Sequence, residues 1–126
     1  MEKASFSKLE AQLSSLLNAL SLVPEHHSPS SPVYKHFSIV AEYCTNNIFG
    51  ETASQAANLA FIGEINLPYF SMGAINSTHL FGLDELILFS FYHNSRNLYK
   101  KVSDLGANIG LHSIVLSKLG FKVTSY

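Results

Sequence analysis

The sequence predicts an α/β protein: a helical N-terminal region followed by a parallel strand–helix–strand unit. Three observations carry this reading. Phe6, Leu9, Leu13, Leu16, Leu17 and Leu20 recur at helical spacing. A second apolar-periodic stretch begins near Val33, behind a loop rich in proline and serine. The last 25 residues, "VSDLGANIGLHSIVLSKLGFKVTSY", read as a short strand, a glycine turn, an amphipathic helix and a second β-rich run. Two strands joined by one crossover helix run parallel, and the crossover is right-handed.

In the first helix the six apolar residues share one face, Ser5 is the expected N-cap, and Pro24 lies just past the end. "PEHHSPSSP" (24–32) is a loop by composition. In the second helix Tyr34, Phe37, Ile39, Val40, Tyr43 and Cys44 form the expected apolar face, and "TNNIFG" ends it. A short helix is expected from Thr52 into Leu59. "FIGEINLPYF" has strand character interrupted by Gly63 and Pro68, which points to edge strands or a hairpin. "SMGAINSTHLFG" reads as loop.

"LDELILFSFYHN" opens with Asp84 and Glu85, which suit a helix N-terminus, and then runs apolar through Tyr92. Periodicity alone does not separate a buried helix from a buried strand. The acidic start and the polar "HNSRN" end favour a helix. The terminal unit then comprises a strand over 101–105, a helix over 109–119 and a strand over 121–126. Leu111, Ile114, Val115 and Leu119 mark that helix's apolar face, and Gly120 stands where a C-cap glycine belongs. The organisation is a helical region over 1–50, a segment with short strands and a buried helix over 51–100, and the glycine-turn unit over 101–126.

Composition narrows the function classes. A chain of 126 residues suits one modest domain. Charged residues make up 13%, against about 25% in a typical soluble domain, so a large buried or interface surface is expected. Net charge is −1, without the basic patch of a nucleic-acid binder. Arg96, Lys100 and Lys101 read as a solvated linker. The single cysteine, Cys44, cannot form an internal disulfide, which points to a reducing compartment. On an apolar helix face it reads as a small core residue.

No run approaches the roughly 18 apolar residues of a membrane span. "MEKASFSKLE" has no continuous apolar stretch of the signal-peptide kind. It carries Glu2 and Glu10 and no Arg, unlike a mitochondrial presequence. "NST" at Asn76 matches a glycosylation pattern that matters only in a secreted chain. The expectation is a cytoplasmic, soluble protein with neither nucleic acid nor membrane as partner.

The histidines (His26, His27, His36, His79, His93, His112) lack metal-ligand spacing with carboxylates or cysteine, so no metal is expected. His26 and His27 sit in the proline/serine loop and read as solvated. His79 precedes the buried helix, where it could line a site, while His112 reads as packing or surface. Tyr69 and Met72 read as core.

The glycine turn carries the chemistry. In a strand–helix–strand unit this turn presents backbone N–H groups and a helix N-terminus at the carboxyl edge of the sheet. Glycines there let a ligand approach the backbone, because no Cβ intervenes. Gly106 and Gly110 frame the turn, and Asp104 ends the strand before it. A dinucleotide fingerprint reads G-x-G-x-x-G, but position 108 is Asn. No G-K-S or G-K-T exists for a phosphate-binding P-loop. The plainer alternative is a parallel turn that merely needs glycines, with Asp104 as a turn or capping acid.

"VSDLGANIGLHSIVLSKLGFKV" resembles the first motif of class I S-adenosylmethionine-dependent methyltransferases, most closely the FkbM-type enzymes. Their pattern is an apolar strand, D-x-G-A-N-x-G, a helix, then G-x-x-V. "FGLDELILFSFY" resembles, more weakly, the buried element before the motif. The match covers about a fifth of the chain, and the first 50 residues carry none of it.

The resemblance implies that 101–126 begins an S-adenosylmethionine-binding, Rossmann-like domain. Asp104 would meet the methionine amino group or the turn that holds it. Gly106, Ala107 and Gly110 would line the cofactor, and Asn108 would shape the turn. The implied reaction is methyl transfer to a hydroxyl of a sugar or small metabolite. No residue is assigned as catalytic. The family continues with a carboxylate at the end of the second strand that holds the ribose hydroxyls; here that position would follow Tyr126. The expectation is therefore an N-terminal portion of a methyltransferase, inactive alone and prone to self-association through an open sheet edge. The alternative expectation is a truncated, non-catalytic chain that binds another protein. A nucleotide-binding domain of another kind is disfavoured by the missing third glycine.

Overall fold

Leu9, Leu13, Leu16, Leu17 and Leu20 form one stripe along helix α1 (Lys3–Leu22), and in the computed structural model all five are buried. The structure describes residues 3–51, 56–106 and 110–126. Helix α1 begins at Lys3, so Ser5 lies inside it and is not its N-cap. Nothing in "KASFS" opposes helix, since it holds neither glycine nor proline. At the other end His27 Nε2 donates to the Leu20 carbonyl (2.7 Å), satisfying one of the helix's last acceptors. His27 belongs to a 3-10 turn over Pro24–His27.

Helix α2 (Tyr34–Phe49) buries Ala41, Cys44, Thr45, Ile48 and Phe49. Tyr34 and Phe37 are half-buried against the core. The expected face is corrected here, because Ile39 and Tyr43 point outward and Val40 is also exposed. Helix α2 packs against both α1 and the later helix over Leu83–Ser95, and this rotates its buried stripe toward 41, 45 and 48. Small residues at 41 and 45 allow close approach, and Thr45 Oγ1 donates to the Phe81 carbonyl (3.1 Å).

The helix expected from Thr52 into Leu59 is also corrected. Residues 52–55 lie outside the described residues, and Ala57–Leu59 is strand β1. It pairs antiparallel with β2 (Gly63–Ile65). Ala57 and Leu59 are buried while Asn58 is exposed, the alternation of a half-buried strand. Helix α1 supplies the deciding partners. Glu10 Oε2 accepts from the Asn58 N–H (2.7 Å), and Ser14 Oγ accepts from the Ala60 N–H (3.0 Å). Within "FIGEINLPYF" only Gly63–Ile65 is strand, with Gly63 beginning it, and its hairpin partner lies upstream at Ala57–Leu59.

The stretch read as loop contains regular structure. Strands β3 (Ser71–Met72) and β4 (Ile75–Asn76) form a minimal antiparallel hairpin. A 3-10 turn over Ser77–Phe81 follows, and its cap is reciprocal. Asn76 Oδ1 accepts from the Thr78 N–H, and His79 Nδ1 accepts from the Asn76 N–H, each at 2.9 Å. Tyr69 is half-buried, short of the full burial expected for a core residue.

Helix α3 (Leu83–Ser95) is a helix, as its acidic first turn predicts. It buries Leu83, Leu86, Phe89 and Ser90. Phe89 meets Phe81 (ring centroids 5.5 Å apart), and Phe81 meets Phe49 (5.4 Å). A single cluster of buried residues runs from Leu9 on α1 to Val115 in the last helix.

Strand β5 (Lys101–Asp104), helix α4 (Leu111–Lys118) and strand β6 (Lys122–Ser125) form the terminal unit. The two strands run parallel, from Lys101 beside Lys122 to Asp104 beside Ser125. Helix α4 ends as Gly120 predicts. With φ at +99°, Gly120 donates to the Ser117 carbonyl and Phe121 donates to the Leu116 carbonyl, each at 3.1 Å. Its buried residues are Leu111, Val115 and Leu116, while Ile114 is 48% exposed. Leu111 and Val115 join the core cluster, while Leu116 is buried outside it, because α4 packs on β6 as well as on the helix before it. The molecule is mixed α/β, with three separate two-stranded sheets among the described residues. No described helix is long and apolar enough to cross a membrane.

Candidate functional site

The register of β5 and β6 brings both strand ends level at one edge. The Tyr126 N–H donates to the Asp104 carbonyl (2.9 Å), which extends the ladder past the last strand residue. The chain then turns through Gly106 (φ +68°) and enters α4 at Gly110 (φ +83°). Both angles lie in the left-handed region, where a side chain costs roughly 1–2 kcal/mol. Ala107 and Asn108 lie outside the described residues. Of the expected cofactor residues, Asp104, Gly106 and Gly110 are gathered at this one turn.

A Cβ placed on Gly106 or Gly110 meets no atom of the described residues within 4 Å. Among the described residues this leaves room for a ligand lying along the two glycines.

Asp104 is half-buried and tied into the unit. Ser113 Oγ donates to Asp104 Oδ2 (2.6 Å). Ser113 has one hydroxyl proton, so Ser125 must donate in the short contact between the two hydroxyls (2.5 Å). This chain of three side chains joins the first turn of α4 to both strand ends. Asp104 therefore does the work of a turn acid, and Oδ1 has no protein donor among the described residues. An open cleft of about 520 Å³ begins at the same serines and runs between α4 and β6, past Ile114, Lys118 and Val123.

The side chains that sequence reasoning passed over stand on the other flank. His112, in the first turn of α4, sends Nε2 to Glu85 Oε1 (2.6 Å) and Nδ1 to the Tyr92 hydroxyl (2.9 Å). Its ring also packs against Phe89 (centroids 5.0 Å apart). Burial pushes the Tyr92 phenol above its ordinary range, and the negative charges of Asp104 and Glu85 add to this. The Tyr92 hydroxyl is thus within the electrostatic reach of the turn carboxylate. One signal for this cluster was legible: Glu85 and Tyr92 are seven apart, two turns along one face of a helix. That this face meets the start of α4 is a tertiary fact.

His79 is occupied as a capping residue and also lines a polar cleft of about 350 Å³ with Glu42, Asn46 and Asn76. Among the described residues, no three His, Cys, Asp or Glu side chains converge as a metal site requires. No family model, curated protein or solved structure matches this chain.

Proposed function

We propose that this chain carries the S-adenosylmethionine-binding turn of an FkbM-like methyltransferase, whose acceptor is a hydroxyl of a sugar or small metabolite. The observation that carries the reading is the parallel β5–α4–β6 unit. Its turn is bounded by two left-handed glycines, with Asp104 at the strand end. The bound cofactor supplies a methyl group activated on a sulfonium. The chain's task is to hold the donor and to align it with the acceptor. Asp104 would hold the donor's ammonium or the turn that carries it, and the backbone at Gly106 and Gly110 would take the methionine end.

Titration of S-adenosylhomocysteine into the isotope-labelled chain tests the proposal. Amide resonances of Gly106, Gly110 and Leu111 are expected to shift, weakly and saturably. NADH at the same concentrations is expected to leave them in place. No shift with S-adenosylhomocysteine, or equal shifts with NADH, would remove the reading.

A second reading, a non-catalytic chain that binds another protein, is favoured by one observation. Leu88, Phe91, Leu98 and Tyr99 are all exposed on or just after α3. Unchanged amides at the turn together with shifts across α3 on adding a partner would favour it.

A further inference from the structure

Glu85, His112 and Tyr92 form a continuous hydrogen-bonded chain between α3 and α4, next to the glycine turn. Its direction follows from the groups themselves. A carboxylate only accepts, so His112 Nε2 carries the proton given to Glu85 Oε1. In the neutral ring Nδ1 is then the acceptor, and the Tyr92 hydroxyl donates to it. This is a nucleophile–base–orienter arrangement, with a phenol in the first place. The His112 and Glu85 side chains are 26% and 28% exposed, so the pair is partly shielded while the chain stays open to solvent at one side.

We propose that Tyr92, backed by His112 and Glu85, is the proton acceptor for a hydroxyl bound between Asp104 and the start of α4. The acceptor's O–H proton passes to Tyr92 Oη as the Tyr92 proton passes to His112 Nδ1. The acceptor oxygen keeps the O–H electron pair for its new bond to the methyl carbon. The electron pair of the broken carbon–sulfur bond stays on sulfur. Glu85 holds the ring in the required tautomer and stabilises the imidazolium that results. The raised phenol range fits this role, because the proton rests on Tyr92 until His112 takes it. The role in methyl transfer rests on the function proposed above; the base-assisted phenol does not.

The test needs neither cofactor nor acceptor. N-acetylimidazole acetylates phenol oxygens, with imidazole leaving as the phenol proton is lost. Tyr43, Tyr99 and Tyr126 are 59%, 60% and 71% exposed and serve as internal standards. At pH 7.5, site-resolved mass spectrometry is expected to show half-buried Tyr92 acetylated about tenfold or more faster than Tyr99, the low side of general-base assistance. His112→Gln is expected to bring Tyr92 below Tyr99.

A Tyr92 no faster than Tyr99 in the wild-type chain, or a rate unchanged by His112→Gln in a folded variant, would overturn the proposal. Nitrogen NMR of the wild-type chain tests it without any variant. The Nε2–H tautomer of His112 is expected at pH 7.5, and an imidazolium or Nδ1–H tautomer would overturn it. A failed S-adenosylhomocysteine titration with fast Tyr92 acetylation would sink the methyltransferase reading and keep the base. The reverse result would do the opposite.

Discussion

Gly110 couples the backbone of the turn to the start of α4, since its carbonyl also accepts the Ile114 N–H (2.9 Å). Its positive φ makes a stability prediction independent of any ligand. Gly110→Ala is expected to cost about 1 kcal/mol in urea denaturation, the price of a Cβ in the left-handed region. Gly110→Val should cost more and should also abolish the S-adenosylhomocysteine shifts. An affinity left intact in Gly110→Val would take Gly110 out of the site.

His93 stacks on Phe61 (centroids 4.1 Å apart), and burial, then the Arg96 charge, lower its pKa. The folded state therefore binds a proton less readily than the unfolded state. The associated stability is present above the ordinary histidine range, near 6.5, and is lost as pH falls through it. Melting temperature is expected to fall from pH 7 to 5, and His93→Gln should flatten that fall. Cys44 is fully buried and burial pushes its thiol up, so a maleimide should label it only on unfolding.

Helix α3 is apolar nearly all round. Its buried side joins the core through Phe89, and its other side shows Leu88 and Phe91 to solvent. Phe89 touches Phe81, Tyr92 and His112, so it supports both the core and the Tyr92–His112 chain. Phe89→Ala should destabilise by about 3–5 kcal/mol, as large-to-small aromatic changes do. The measurement is equilibrium denaturation, and a loss under about 1 kcal/mol would mean that the helix is not seated as described. Between α2 and α3, Thr45 gives the buried Phe81 carbonyl its partner. Thr45→Val leaves that oxygen unpaired, at a cost of about 1–3 kcal/mol.

At the scale of the whole molecule, the core runs unbroken from α1 to α4. Far- and near-ultraviolet dichroism are therefore expected to report one coincident unfolding transition. Two transitions would show that the terminal unit melts apart from the helices. The β5–β6 sheet has two strands and exposed edges, and Leu88, Phe91, Leu98 and Tyr99 lie uncovered. These features favour self-association. Sedimentation velocity should show mass rising with concentration, and Phe91→Lys should reduce it.

Local chemistry was enough to read α1, α3 and the β5–α4–β6 unit from the sequence. Apolar spacing marks α1 although Ser5 is not its cap, and Gly120 and the acidic start of α3 act within a few residues of themselves. The parallel pairing followed as well, because one crossover helix leaves the strands no other direction. Three things were decided only by the tertiary structure. The segment around Ala57 became a strand because Glu10 and Ser14 of α1 receive its N–H groups, partners some 50 residues away. The buried face of α2 turned toward Ala41, Thr45 and Ile48 because two helices press on it, and apolar residues lay on more than one of its sides. His112, a surface or packing residue by sequence, became the centre of a hydrogen-bonded chain because α3 and α4 cross where Glu85 and Tyr92 face it. Sequence spacing fixes which residues share a face of one helix, but which face meets which neighbour is settled only when the whole core packs.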